Sequence, residues 1–223
     1  MNKKLKEQMR AARTHEVRRA AEEMGMEAQE GRDLLPYLAY KEGLAEWAAT
    51  DTLLRRGKDS VPALLSGLTS NHGKIRSTCA LLLDHVADDR CIEPLKHALY
   101  NDPLESVRRC ALHSLVCDGC KACPLATDVV AVLMQVAGND RSMAVRRRAV
   151  FYLSMQSPDT RILPFLESLF LKSTDSVLLR RAENAMRQQL MQLGSSSFGN
   201  SSASPHGVRG FRRHVTDSSP NGR

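Results

Sequence analysis

The sequence predicts an all-α solenoid of four to five antiparallel helical pairs, and three observations carry that prediction. An apolar stripe recurs at a period near 32 residues, each recurrence has a small residue at its centre, and polar Asn/Asp turns separate the helices of a unit. Self-similarity at this period marks repeat proteins, in which each unit buries its apolar face against its neighbours.

Residues 1–32 open the chain as a basic helical segment with Lys3, Lys4 and Lys6 near its start. The repeat solenoid follows over 33–193. Its second helices read A45-E-W-A-A-T-D-T-L53, I75-R-S-T-C-A-L-L-L83, V107-R-R-C-A-L-H-S-L115, V145-R-R-R-A-V-F-Y-L153 and L178-L-R-R-A-E-N-A-M186. Positions one, five and nine of each lie on one helical face. The small fifth residue (Ala49, Cys79, Ala111, Ala149, Ala182) lets two helix backbones approach closely. First helices carry the matching pairs Leu64/Leu68, Leu95/Leu99, Leu133/Ala137 and Leu166/Phe170. In Ser60-Val61-Pro62, serine is an expected cap and proline fits the first turn. Second-helix starts are offset by 30, 32, 38 and 33 residues, and the excess falls at the loop CDGCKAC, Cys117 to Cys123. The tail 194–223 is rich in Ser, Gly and Asn, carries four arginines, and is expected to be disordered because it cannot bury enough apolar surface.

The turns Asn101-Asp102 and Asn139-Asp140, each followed by an aliphatic-Arg pair at Val107-Arg108 or Val145-Arg146, resemble HEAT repeats. The short period resembles the HEAT-like, armadillo-related subclass first described in phycobilisome lyases. That resemblance spans about residues 33–190 and implies a superhelix in which turn aspartates pair with arginines of neighbouring repeats. Arg76, Arg108 and Arg146 are therefore expected to form a structural ladder with Asp102 and Asp140. Leu179 stands where the last repeat should have its arginine, which suits a terminal unit.

One position further along, Arg109, Arg147 and Arg180 align across repeats with Arg148 and Arg181 beside them. Helices stacked roughly 8–10 Å apart turn this column into a basic stripe. Phe151 and Tyr152 follow it as aromatic anchors. With 32 basic against 25 acidic residues the chain carries +7, so the implied partner is another protein with an acidic surface. Nucleic acid is the weaker acidic candidate: only 4% of residues are aromatic, and the single Trp47 sits among packing alanines.

Several activities lack their residues. The sequence holds no G-x-S-x-G, no phosphate-binding glycine loop and no H-E-x-x-H, and its apolar runs are too short to span a membrane. No secretory leader is read at the N-terminus, so the expected setting is cytoplasmic, with reduced thiols. The function this implies is a non-catalytic scaffold or adaptor. The alternatives are a bilin-lyase-like or other small-molecule enzyme or chaperone, which the resemblance offers without a residue set, and a metal- or redox-linked module at Cys117–Cys123.

Three thiols, Cys117, Cys120 and Cys123, are the candidate metal ligands, with Cys91 from the preceding loop or His85 as the fourth. Zinc takes four N/S ligands, typically through C-x2-C pairs. An iron-sulfur cluster lacks its further cysteine here, a dithiol lacks its βαβ context, and simple packing under the loop is the remaining reading.

Overall fold

The computed structural model describes residues 3–40, 43–121 and 123–196, with side chains described within 13–194. Most of the expected tail, 197–223, lies outside the described residues, as do the side chains of Lys3, Lys4 and Lys6. Residues 194–196 close the last helix.

Among the described residues, helix α1 (Lys3–Glu23) precedes five helical pairs. The first joins a 3-10 helix (Gly31–Ala39) to α2 (Leu44–Arg55); the second is α3 (Val61–Gly67) with α4 (Gly73–Val86). Then come α5 (Ile92–Asn101) with α6 (Glu105–Val116), α7 (Val129–Asn139) with α8 (Met143–Leu153), and α9 (Ile162–Lys172) with α10 (Ser176–Ser196). Each second helix packs on its own first helix, and α4, α6, α8 and α10 stack in succession. Among the described residues there is no strand, and no helix is long and apolar enough to cross a membrane.

The stripe read from the sequence is the core. Leu53, Leu83, Leu115 and Leu153 are 0% exposed, as are the small residues Ala49, Cys79, Ala111, Ala149 and Ala182. Burying a leucine of this kind contributes about 1.5–3 kcal/mol, so a stack of them outweighs the modest intrinsic propensity of these short helices. Cys79 is the bulkiest member of the small column, and α3 makes room for it with Gly67, where an added Cβ would run into the Cys79 sulfur. Burial pushes the Cys79 thiol up to about 12, which keeps it a neutral packing group.

Turn chemistry explains the Asn-Asp signature. Asn101 Nδ2 donates to the His97 carbonyl (3.1 Å) and Asn139 Nδ2 to that of Gln135 (3.0 Å), closing the first helices. Asp102 Oδ1 then accepts from Leu104 N (2.9 Å) and Asp140 Oδ1 from Ser142 N (2.7 Å), which opens the second helices. Ser60 behaves otherwise than expected. Its hydroxyl does not cap α3 but donates to the Leu53 carbonyl at 2.6 Å, satisfying the end of α2, while Pro62 does occupy the first turn of α3.

Helix α1 ends at Gly25, whose φ of +61° suits only glycine without strain. Met26 N donates to Ala21 O and Gly25 N to Glu22 O, both at 2.9 Å, a Schellman closure. Arg56 then clamps the turn by donating to the Met26 and Gln29 carbonyls at 2.8 and 2.9 Å, docking α1 onto α2. At the other end Leu171, Leu190, Met191 and Leu193 are exposed, so the last described pair is less polar than a terminal unit is expected to be.

Candidate functional site

Two clusters grow out of the second helices. The first is the arginine ladder. Arg76 on α4 donates to both Asp102 oxygens (2.6 and 3.1 Å), and Arg108 on α6 to both Asp140 oxygens (2.9 and 3.0 Å). The aspartate that opens one hairpin thus anchors the arginine of the hairpin before it. Arg146 departs from the expected ladder: its Nε donates to the Ala137 carbonyl (2.8 Å) within its own pair. The next aspartate, Asp175, is held instead by Arg147, whose Nε donates to Oδ1 at 3.0 Å. Asp175 falls in Ser173-Thr174-Asp175, a turn without the Asn-Asp signature, and was invisible for that reason.

Burial alone would raise the Asp102 pKa, but the Arg76 fork, the Leu104 N–H and Arg108 overturn it and hold the carboxyl below its ordinary value. A depressed aspartate contributes stability that is complete above its unfolded pKa, about 3.9, and is lost as pH falls through the lower folded value. Wild type should therefore exceed Asp102→Asn in stability most at pH 6–7, by about 1.5–3 kcal/mol, the range of hydrogen bonds to charged groups. Denaturant unfolding at stepped pH should show that gap narrowing below about pH 4.

Beside the ladder, Arg109, Arg147, Arg148, Arg180 and Arg181 line a groove of 630 Å³ with Phe151 between them. Arg147 is committed to Asp175, and Arg109 faces Glu105 at a loose 3.8 Å. Arg181 lies 6.0 Å over the Phe151 ring. Phe151 is 40% exposed and presents its ring to the groove. Tyr152 does not share that role: its hydroxyl lies 2.7 Å from His113 Nδ1, in the second cluster.

That second cluster is built by α4, α6, α8 and the enlarged loop. Cys117 caps α6, its N–H donating to the His113 carbonyl (2.9 Å), and the 3-10 turn Asp118–Cys120 folds Cys120 back until the two sulfurs are 3.3 Å apart. His113, one turn earlier on α6, places Nε2 3.9 Å from Cys120 Sγ and 3.0 Å from Asp84 Oδ2 on α4. One ligand atom each from Asp84, His113, Cys117 and Cys120 lies within 4.8 Å of the others. Asp84 is 1% exposed, and its Oδ1 has no hydrogen-bond partner among the described residues. The Lys121 ammonium, itself 1% exposed, stands 3.6 Å from that oxygen and donates to the Cys117 carbonyl.

Burial pushes against ionisation of Asp84, yet His113, Cys120 and Lys121 together keep its pKa below the ordinary value. The Cys120 thiol is pushed up to about 12 by burial first and by Asp84 and Cys117 next. The expected ligand set is thereby rearranged. Cys117 and Cys120 come together, whereas Cys123 is exposed and outside the group, Cys91 is buried at the start of α5, and His85 is exposed. His85, Cys120 and Cys123 do share the wall of an 850 Å³ surface cavity. Sequence reading missed Asp84, His113 and Lys121, although His113-x3-Cys117 is a spacing that sets two side chains on one helical face.

Trp47 packs as expected, half-buried with the Arg13 guanidinium 3.6 Å over its ring, and Asp51 pairs with Arg55 at 2.7 Å.

The stacked helical pairs make the fold a HEAT-like helical-repeat solenoid. No protein-family model and no curated protein matches the chain. Among solved structures it is similar to the complex of CpcE and CpcF of phycocyanin lyase from Nostoc sp. PCC7120, at 20% identity and a TM-score of 0.54, covering 69% of this chain and 95% of that one. A designed armadillo repeat protein matches at 14% identity and a TM-score of 0.38, over 71% of this chain and 81% of that one.

Proposed function

We propose that the protein is a non-catalytic scaffold that docks an acidic segment of a partner protein in the arginine groove between α6, α8 and α10. The single observation that carries this reading is the groove itself: five arginines converge around an exposed phenylalanine, and among the described residues only Arg147 is committed to a close carboxylate. Complementary charge steers association, and a part-exposed aromatic flanked by arginine is the usual composition of an interface hot spot. The phycocyanin lyase neighbour was itself solved as a complex of two chains, which supports a protein partner by analogy of fold alone.

The test is Arg109→Glu/Arg148→Glu/Arg180→Glu, which spares the ladder arginines. A labelled polyglutamate peptide should bind wild type and lose at least ~10-fold in affinity to the variant, since like charges brought together cost several kcal/mol. The melting temperature should stay close to that of wild type, because these side chains are surface groups. Unchanged peptide binding would overturn the proposal. Equal or tighter binding of a single-stranded DNA with steep salt dependence would favour the nucleic-acid alternative. A tetrapyrrole absorption band co-purifying with the protein would favour the lyase alternative.

A further inference from the structure

The cluster at the end of α6 has no role in groove docking, and it concentrates ligand chemistry where a solenoid needs only packing. A buried carboxylate oxygen without a hydrogen-bond partner carries an uncompensated desolvation cost, and among the described residues Asp84 Oδ1 is such an atom. Two sulfurs, an imidazole nitrogen and that carboxylate surround one point. We infer that Asp84, His113, Cys117 and Cys120 form a tetrahedral zinc site that ties α4, α6 and the enlarged loop together.

Distances support four-coordination. Zinc bonds of about 2.3 Å to sulfur and about 2.0–2.2 Å to nitrogen or oxygen imply ligand-to-ligand edges of roughly 3.3–3.8 Å. The observed edges are 3.3 Å (Cys117 to Cys120), 3.9 Å (Cys120 to His113) and 3.0 Å (His113 to Asp84). Small side-chain adjustments close the set.

Charge supports it as well. Two thiolates and a carboxylate carry three negative charges; zinc leaves one, and the buried Lys121 ammonium beside Asp84 cancels it. Uptake of the ion by the two thiols releases two protons to solvent, with no change in oxidation state. The tyrosine has a place too. A ligating histidine holds its other ring nitrogen in a hydrogen bond, and His113 Nδ1 faces the Tyr152 hydroxyl at 2.7 Å. Cys120 lies in the wall of the 850 Å³ surface cavity, which puts one ligand of the site next to solvent. With four protein ligands the centre is closed, so its role is structural.

The inference stands apart from the groove and is tested on the full chain, reduced and stripped with a chelator. Cobalt(II), titrated as a spectroscopic stand-in for zinc, should bind at about one ion per chain with the intense visible bands of tetrahedral thiolate coordination, and zinc should displace it. Tyr152→Phe should weaken binding by about 10–100-fold, as loss of an outer hydrogen bond to a ligand does, and Asp84→Asn or Cys120→Ser by more. Cys123→Ser and His85→Ala should bind as wild type does. Zinc should raise the melting temperature of wild type and leave that of Cys120→Ser unmoved. No cobalt spectrum in reduced wild type, full binding by Cys120→Ser, or loss of binding in Cys123→Ser would each overturn the site. So would a Cys117–Cys120 disulfide that persists in protein purified under reducing conditions.

Discussion

Arg108→Ala is expected to lower the unfolding free energy by about 3–5 kcal/mol, the cost of breaking a buried ion pair from one side. The pair is nearly dry, with side-chain exposures of 3% for Arg108 and 6% for Asp140. Removing the guanidinium takes both forked bonds from Asp140 and leaves Ser142 N as its remaining hydrogen-bond donor among the described residues. It also takes one donor, Arg108 Nη1 at 3.1 Å, from the Asp102 carbonyl, which keeps Arg141. For a chain of this size each kcal/mol shifts the melting temperature by about 2–4 °C, so a fall of roughly 6–20 °C should be seen by calorimetry. Arg161, which pairs with Asp128 on the opposite edge at exposures of 45% and 52%, is the contrast. Arg161→Ala should cost ~1 kcal/mol or less. The comparison sinks the argument if the two variants melt together. Replacing both Arg108 and Asp140 by apolar residues of similar volume should recover most of the loss, because no buried charge is then left alone.

Leu115→Ala should cost about 2–5 kcal/mol through lost transfer energy and the cavity left behind. Leu115 is fully buried at the end of the α6 stripe, and α6 packs on both α4 and α8. A repeat array is stabilised mainly by contacts between neighbours, so a defect in the central unit weakens both of its interfaces. Amide hydrogen exchange should show protection falling most in α4, α6 and α8, with smaller losses in α2 and α9. Uniform loss along the whole chain would mean that the solenoid unfolds as one indivisible unit.

How much of this could be read from the chain alone depends on how local each feature is. Ala111 between Val107 and Leu115 is a periodicity within one helix, and the helical pairs followed from it directly. Arg108 with Asp140 was legible because a signature repeated at a fixed offset implies a repeated contact. Arg146 failed because two further arginines follow it, and which one meets Asp175 depends on how α10 sits against α8. Asp84 was harder still. It lies one position past the stripe, where the neighbouring repeats have Val116 and Ser154, so nothing in its own segment signals burial. His113 meets Tyr152 across 39 residues, a contact fixed by the stacking of α6 on α8. Cys91 and His85, the ligands expected from register, are displaced because the 3-10 turn folds the loop back onto α6 rather than toward α5.

The ladder also bears on how quickly such a chain finds its structure. Arg76 with Asp102, Arg108 with Asp140, and Arg147 with Asp175 span 26, 32 and 28 residues, about one repeat each. The entropy of closing a loop depends on the length of that loop and not on the length of the polypeptide. Every rung therefore carries a similar kinetic cost wherever it lies, and any pair that forms first can serve as the template for the next. Chain length and topological difficulty are decoupled here: duplicating a repeat would lengthen the molecule while leaving its search among conformations nearly as short as before.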